Sequence, residues 1–185
     1  ELTKNVNAIV LDKTGTITEG KPVVTDMAWL DNNDSTKGIL YSIEKQSEHP
    51  LAEAVIDYLG NVPPVEISNF ESITGKGAKA QLNNEAFFVG NQRLLNEQAI
   101  EISTKLQEIG NNWSAESKTV IWFANSEEAL AVIAIADKIK ESSIEAIKQL
   151  QDRGIEVYML TGDNESTTKT IAAQTGIRHY KAEVL

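Results

Sequence analysis

The sequence predicts an α/β fold: a parallel α/β unit interrupted by an inserted α+β unit that carries an antiparallel sheet. Three observations predict it. The apolar run Ala8-Ile9-Val10-Leu11 ends in a carboxylate, Asp12, and a glycine turn follows at once. The C-terminal third alternates apolar strands with amphipathic helices, the pattern of parallel units. Between these parts, helices mix with short strands separated by turns such as Asp31-Asn32-Asn33-Asp34, Asn83-Asn84 and Asn125-Ser126.

The elements follow in chain order. Residues 8–11 read as a buried strand, which places Asp12 at the carboxyl edge of a sheet, where α/β folds hold their ligands. Gly15 permits a tight turn, and the small hydroxyl residues Thr14, Thr16 and Thr18 leave backbone amides free to meet an anion. Residues 35–46 and 51–59 read as helices, parted by Ser47-Glu48-His49-Pro50. Strands are expected over 65–73, 78–82, 86–89 and 119–124, with a helix over 101–109 between the last two. The apolar stretch 130–135 is a strand opening the C-terminal third. The next helix, 140–153, has Ile144, Ile147 and Leu150 at helical spacing, Ser142 with Glu145 as a capping box, and Gly154 as its stop. A strand over 155–160 and a helix over 165–174, ended by Gly176, complete a right-handed parallel crossover. The Asp12 strand and these later units share one sheet. The boundaries expected are 1–20 and 137–185 for the interrupted unit and 21–136 for the insertion. Trp29, Trp113 and Trp122 are expected in or beside the core.

Composition narrows the function. At 41% hydrophobic and 24% charged, the 185 residues are those of an ordinary globular protein with a sizeable core. The longest apolar run, 129–136, falls far short of the roughly 18–20 residues that span a bilayer. The chain opens on Glu1-Leu2-Thr3-Lys4, from which no signal peptide is expected, and it has no cysteine, which fits a cytosolic setting. The net charge of −10 argues against nucleic acid or an anionic membrane surface as partner. Residues 21–136 hold 16 acidic and 8 basic side chains, so a nucleotide there must be met by local donors and shape.

A carboxylate placed like Asp12 can attack a phosphoryl group and carry it as an acyl phosphate. The full string Asp12-Lys13-Thr14-Gly15-Thr16-Ile17-Thr18 resembles, residue for residue, that of the P-type ATPases, ion pumps phosphorylated on this aspartate. These belong to the wider haloacid-dehalogenase-like superfamily, a Rossmann-type fold whose members usually carry a second Asp two residues after the nucleophile. Here that residue is Thr14. Without this acid and base the acyl phosphate is expected to live longer, as a pump requires.

A second set of residues is similar to the nucleotide pocket of the heavy-metal-transporting P-type ATPases. Ser47-Glu48-His49-Pro50-Leu51 lies between helices, Glu44 one turn before Glu48; Gly75-Lys76-Gly77 interrupts strand-like sequence, and Gly90-Asn91 follows a strand. Glycines in a strand often mark close approach of a backbone to a ligand. The resemblance implies that Glu44, His49, Gly75, Gly77, Gly90 and Asn91 bind ATP. It further implies a catalytic set of Asp12, Lys13 and Thr14 with Thr161, Gly162 and Asp163, the Thr161 hydroxyl donating to the phosphoryl group. Mg²⁺ is expected on Asp12 and the Thr14 carbonyl. Asn164 reads as a helix cap, and Asp137 and Lys140 match the hinge between the two domains. Ser117-Lys118-Thr119 departs from the family's Gly-Lys-Thr.

The resemblance thus implies a phosphorylation domain (1–20 and 137–185) interrupted by a nucleotide-binding domain (21–136), on the cytoplasmic face of a membrane. The partners implied are ATP and the transmembrane and actuator domains of a parent pump, with the transported ion, copper or silver by the look of Ser-Glu-His-Pro-Leu-Ala, bound outside this chain. Family members continue with a lysine and a Gly-Asp-Gly-x-Asn-Asp string that supplies further magnesium ligands. This chain stops at Glu183-Val184-Leu185, so the phosphorylation domain is expected to be incomplete, and the fragment to bind nucleotide with little or no turnover. The alternatives are a zinc or cadmium pump of the same family and a soluble haloacid-dehalogenase-like phosphatase.

Overall fold

The computed structural model describes residues 6–31, 33–162 and 165–184. Its contacts divide the chain into two units, Glu1–Lys21 with Asp137–Leu185 and Pro22–Ala136.

In the first unit, β1 (Ala8–Asp12) pairs in parallel with β8 (Glu156–Leu160), and β8 with β9 (His179–Lys181). Ile9, Leu11, Val157 and Met159 pack on one face against Ile147 and Leu150 of α5 (Glu141–Asp152) and Ile171 and Ala172 of α6 (Glu165–Thr175). The other face is open among the described residues: Ala8 is exposed and Val10 is 59% exposed. The buried strand expected over 8–11 is therefore buried on one side only, because both helices lie on the same face. Gly154 and Gly176, at φ +77° and +73°, follow the two helices in the left-handed conformation that stops them. The capping box is absent. Helix α5 starts at Glu141 behind Lys140, so Ser142 is already inside the first turn and cannot serve as cap.

The second unit is built on a six-stranded sheet in the order β2-β7-β6-β5-β4-β3: β2 Thr18–Trp29, β3 Ser68–Ile73, β4 Gly77–Leu82, β5 Glu85–Gly90, β6 Thr119–Ala124 and β7 Ala129–Ile139. From β7 to β3 every pair is antiparallel. The run 130–135 thus belongs to this sheet and not to a parallel crossover. Apolar residues filled both of its faces because both faces are covered, a pattern that resembles a parallel strand in sequence. Alternation along β6 shows the two layers. Ile121 and Phe123 face Ile39, Leu40 and Ile43 of α1 (Asp34–Glu44) and Val55 of α2 (Pro50–Leu59). Trp122 faces Leu94 and Leu95 of α3 (Gln92–Glu97) and Leu106 of α4 (Thr104–Ala115). Trp122 is fully buried and Trp29 and Trp113 partly so, as expected. Asn33, His49, Asn91 and Ser103 cap the four helices through side-chain acceptors.

Candidate functional site

The parallel pairing of β1 with β8 sets Asp12 opposite Leu160, which brings Asp12 and Thr161 to one carboxyl edge of the sheet. Asp12 is exposed there, and Thr161 is buried, its amide bonded to the Lys181 carbonyl. Gly162 follows on the surface. Asp163 and Asn164 lie outside the described residues. After Asp12 the chain makes one wide turn, Lys13–Ile17, in which Thr14 is extended and Gly15 takes φ +75°. Lys13 is buried within it.

That turn is held from several sides. The Thr18 amide donates to the Lys13 carbonyl. The buried Thr18 hydroxyl donates to Asp137 Oδ2 at 2.6 Å, and Asp137 Oδ1 accepts from the Gly20 amide at 3.0 Å. Lys140 Nζ donates to the Gly15 carbonyl at 2.6 Å, the Lys140 amide to the Ile17 carbonyl, and the Ser143 hydroxyl to the Thr16 carbonyl. Asp137 and Lys140, expected at a hinge, thus brace the Asp12 turn. Hydrogen bonds engage the carbonyls of Lys13, Gly15, Thr16 and Ile17, and the Thr14 carbonyl is outside that set. Of the amides in this turn, that of Gly15 donates to the Thr18 hydroxyl oxygen at 3.4 Å, and glycine turns of this kind are suited to receive an anion on the remaining ones.

The second set of residues meets in the inserted unit. A cavity of about 310 Å³ is lined by Glu44, His49, Gly75, Gly77, Gly90 and Asn91, together with Ser47, Thr74, Lys76 and the edge of β6 from Thr119 to Ile121. These come from the end of α1, the start of α2, the β3–β4 turn, the end of β5 and β6. His49 is the cap of α2: its Nδ1 accepts from the Leu51 amide at 3.2 Å, which leaves the proton of the neutral ring on Nε2. Asn91 caps α3 through Oδ1 and donates its amide to the Gly75 carbonyl at 3.0 Å, so it ties the glycine turn to that helix. Gly75 takes φ +69° with open space where a Cβ would stand. Gly77 and Gly90 differ: they are paired in register, and a Cβ on either would lie 2.0 Å from the Val89 carbonyl or 2.1 Å from the Lys76 carbonyl. Close approach of strand to strand, rather than of backbone to ligand, accounts for these two.

Glu44 is the electrostatic outlier. It is 5% exposed, and no donor among the described residues reaches its carboxyl; burial pushes its pKa up to about 7. Lys76 at the rim is paired with Glu97, whose carboxyl that hydrogen bond holds below its usual range. Lys118, at the entry to β6, is held by Asp26 at 2.8 Å and Glu116 at 2.7 Å, the roles of a structural tie. Sequence reasoning passed over Ser47, Thr74 and Thr119, which also line the cavity. Only their positions beside Glu44, the glycines and Lys118 could have signalled them.

Comparison with known proteins agrees in family. A family model described as haloacid dehalogenase-like hydrolase matches residues 6–185. A copper-exporting P-type ATPase of Staphylococcus saprophyticus is 41% identical over 100% of this chain and 23% of its own length, and one of Staphylococcus epidermidis is 43% identical over 97% of the chain and 22% of its own. This chain therefore spans under a quarter of these relatives. Among solved structures, a zinc-transporting PIB-type ATPase superposes with TM-score 0.76 at 26% identity, over 97% of this chain and 29% of that one. The catalytic domain of the CPx-ATPase CopB-B shares the fold at TM-score 0.72 and 22% identity, over 98% of this chain and 64% of that one. The chain belongs to the haloacid dehalogenase-like hydrolase family, and over its whole length it is similar to the catalytic region of heavy-metal P-type ATPases.

Proposed function

We propose that this chain is the nucleotide-binding and phosphorylation region of a copper-exporting P-type ATPase, acting on the cytoplasmic side of a membrane pump. One observation carries the nucleotide half of this reading: six residues, drawn from four separate stretches of sequence, line one cavity. The bare glycine turn offers backbone to a triphosphate, the exposed His49 ring offers a face to a purine, and apolar neighbours such as Leu51 and Ala52 supply the rest of the wall.

In the reaction so inferred, an oxygen of the Asp12 carboxylate attacks the γ-phosphorus of ATP. The bond to the bridging oxygen breaks and ADP leaves with the electron pair, giving an aspartyl phosphate that water later cleaves. Amides of the Lys13–Ile17 turn other than that of Gly15, which donates to the Thr18 hydroxyl oxygen, and the hydroxyl of Thr161 are suited to hold the phosphoryl oxygens. The donor set beside Asp12 is all oxygen, which fits a hard divalent cation. Asp12 and the Thr14 carbonyl would hold Mg²⁺ jointly with phosphate oxygens and water, and bound there the ion supplies charge neutralisation. Asp12 and the Thr14 carbonyl by themselves give Mg²⁺ few protein ligands, so this chain alone is expected to bind nucleotide far better than it turns it over.

Copper is favoured over zinc because the copper-exporting relatives are 41–43% identical and the zinc-transporting structure 26%. The cargo would bind elsewhere in the pump. No helix among the described residues is long and apolar enough to cross a membrane. The test is calorimetric titration of ATP into this chain and into His49→Ala. Saturable binding that weakens at least about tenfold in the variant, some 1.4 kcal/mol, is the expected result. Equal affinity in the two proteins, or no binding by folded protein, would sink the pocket assignment.

A further inference from the structure

Lys76 stands within the glycine turn, and among the described residues that line the cavity it alone carries a fixed positive charge. Residues 21–136 hold 16 acidic and 8 basic side chains, so a phosphate entering the cavity meets no favourable bulk field and depends on local cations. The Lys76 ammonium is already engaged. It pairs with Glu97 Oε2 on α3, and Glu97 Oε1 accepts from Arg93 Nε at 3.2 Å, one turn back on the same helix. Two cations thus share one carboxylate, and the set carries one positive charge in excess. Neither Glu97 nor Arg93 belongs to the cavity wall. Hydrogen bonds fix the frame around them: the Lys76 amide donates to the Ile73 carbonyl, the Asn91 amide to the Lys76 carbonyl, and the Asn91 side chain to the Gly75 carbonyl. What is left free to turn is the flexible four-carbon stem of Lys76.

We propose that Glu97 is a built-in competitor for Lys76, which the phosphates of a nucleoside di- or triphosphate must displace. On binding, Lys76 turns from Glu97 to a phosphate oxygen and Arg93 takes over the carboxylate. This exchange sets how strongly the cavity weighs the phosphates of its ligand against the rest of it. The proposal rests on the nucleotide reading above and adds to it two residues outside the wall. Leaving Glu97 costs Lys76 little: the two side chains are 30% and 40% exposed, and exposed ion pairs are individually weak. The new bond is a charge-assisted one to an oxygen of a multiply charged group, the stronger kind. Arg93 lowers the cost further. Once Lys76 has left, its planar guanidinium can grip both carboxylate oxygens instead of one. Without Arg93, release would strand an anion at the carbonyl end of α3, where the helix disfavours it.

The test titrates ADP and adenosine into the wild type, Glu97→Gln, Lys76→Gln and the double variant, at one pH and one ionic strength. Lys76→Gln should weaken ADP about tenfold, the loss of one hydrogen bond between charged groups. Glu97→Gln keeps the size of the side chain, frees Lys76 and should tighten ADP about threefold, the scale of an exposed ion pair. In the double variant Glu97→Gln should add nothing to Lys76→Gln, because the competitor has nothing left to hold. Adenosine, which has no phosphate, should bind all four proteins alike, and that equality also reports that each is folded. The double variant separates exchange from mere charge. A tightening by Glu97→Gln that persists without Lys76 is a long-range field effect and overturns the proposal. Unchanged or weaker ADP binding by Glu97→Gln makes the pair a structural tie and overturns it too, as does unchanged ADP binding by Lys76→Gln. Those results leave nucleotide binding in place, whereas a wild type that binds neither ADP nor adenosine overturns both readings.

Discussion

Glu44 makes the fold itself sensitive to pH, independently of any ligand. Its carboxyl titrates near 7 in the folded chain against 4.5 when unhindered. Because the folded value is the higher one, the stability associated with the proton is complete below about pH 4.5 and is lost as pH rises through about 7. The shift corresponds to roughly 3 kcal/mol. Glu44→Gln should therefore exceed the wild type in urea denaturation by no more than about 1 kcal/mol at pH 5 and by up to about 3 kcal/mol at pH 8.5; an equal difference at both pH values would show that the carboxyl is solvated. At this scale sequence reading found the residues without their reasons. His49 and Asn91 stand out in sequence as ligand candidates, yet each is also the cap of a helix, and capping alone explains part of what its side chain does. The isolation of Glu44 was not legible, because burial without a partner depends on what β6 and the β3–β4 turn fail to bring.

Among the elements, the β4–β5 pairing makes the sharpest demand on side-chain size. Gly77 has φ +150° and backbone atoms 2.0 Å from where its Cβ would stand, so Gly77→Ala must part the strands. A loss of about 3 kcal/mol is expected. Gly75→Ala meets only its left-handed backbone and open space, and should lose about 1 kcal/mol. Urea denaturation of the two variants checks the order; equal losses would mean that the strands yield freely. Most helices and strands of the inserted unit were legible from periodicity and turn residues. Strand β2 was not: Gly20, Pro22 and two acidic residues interrupt its sequence, and its place beside β7 in the sheet is a long-range feature. Helix α3 and strand β9 are too short, at six and three residues, to carry a period. The 130–135 strand was found but given the wrong sheet, since a strand buried on both faces looks the same whichever way its neighbours run.

For the whole molecule, the hydrophobic cores respect the division of the chain. Every member of the cluster around Met159 lies in the first unit, and the two clusters flanking the six-stranded sheet lie in the second. Residues 22–136 expressed alone should thus fold, with one cooperative thermal transition and a near-ultraviolet spectrum from buried Trp122. A broad, non-cooperative transition would show that the sheet leans on the rest of the chain. The two ends of that segment sit on β2 and β7, which are neighbours in the sheet, with the Thr25 hydroxyl donating across to the Ala134 carbonyl. Departure and return along adjacent strands give the segment the character of a graft. Its ends already lie side by side, so a short peptide could close it into a ring, new termini could be opened at the Asn83-Asn84 turn, and a host strand pair elsewhere could receive it without being pulled apart.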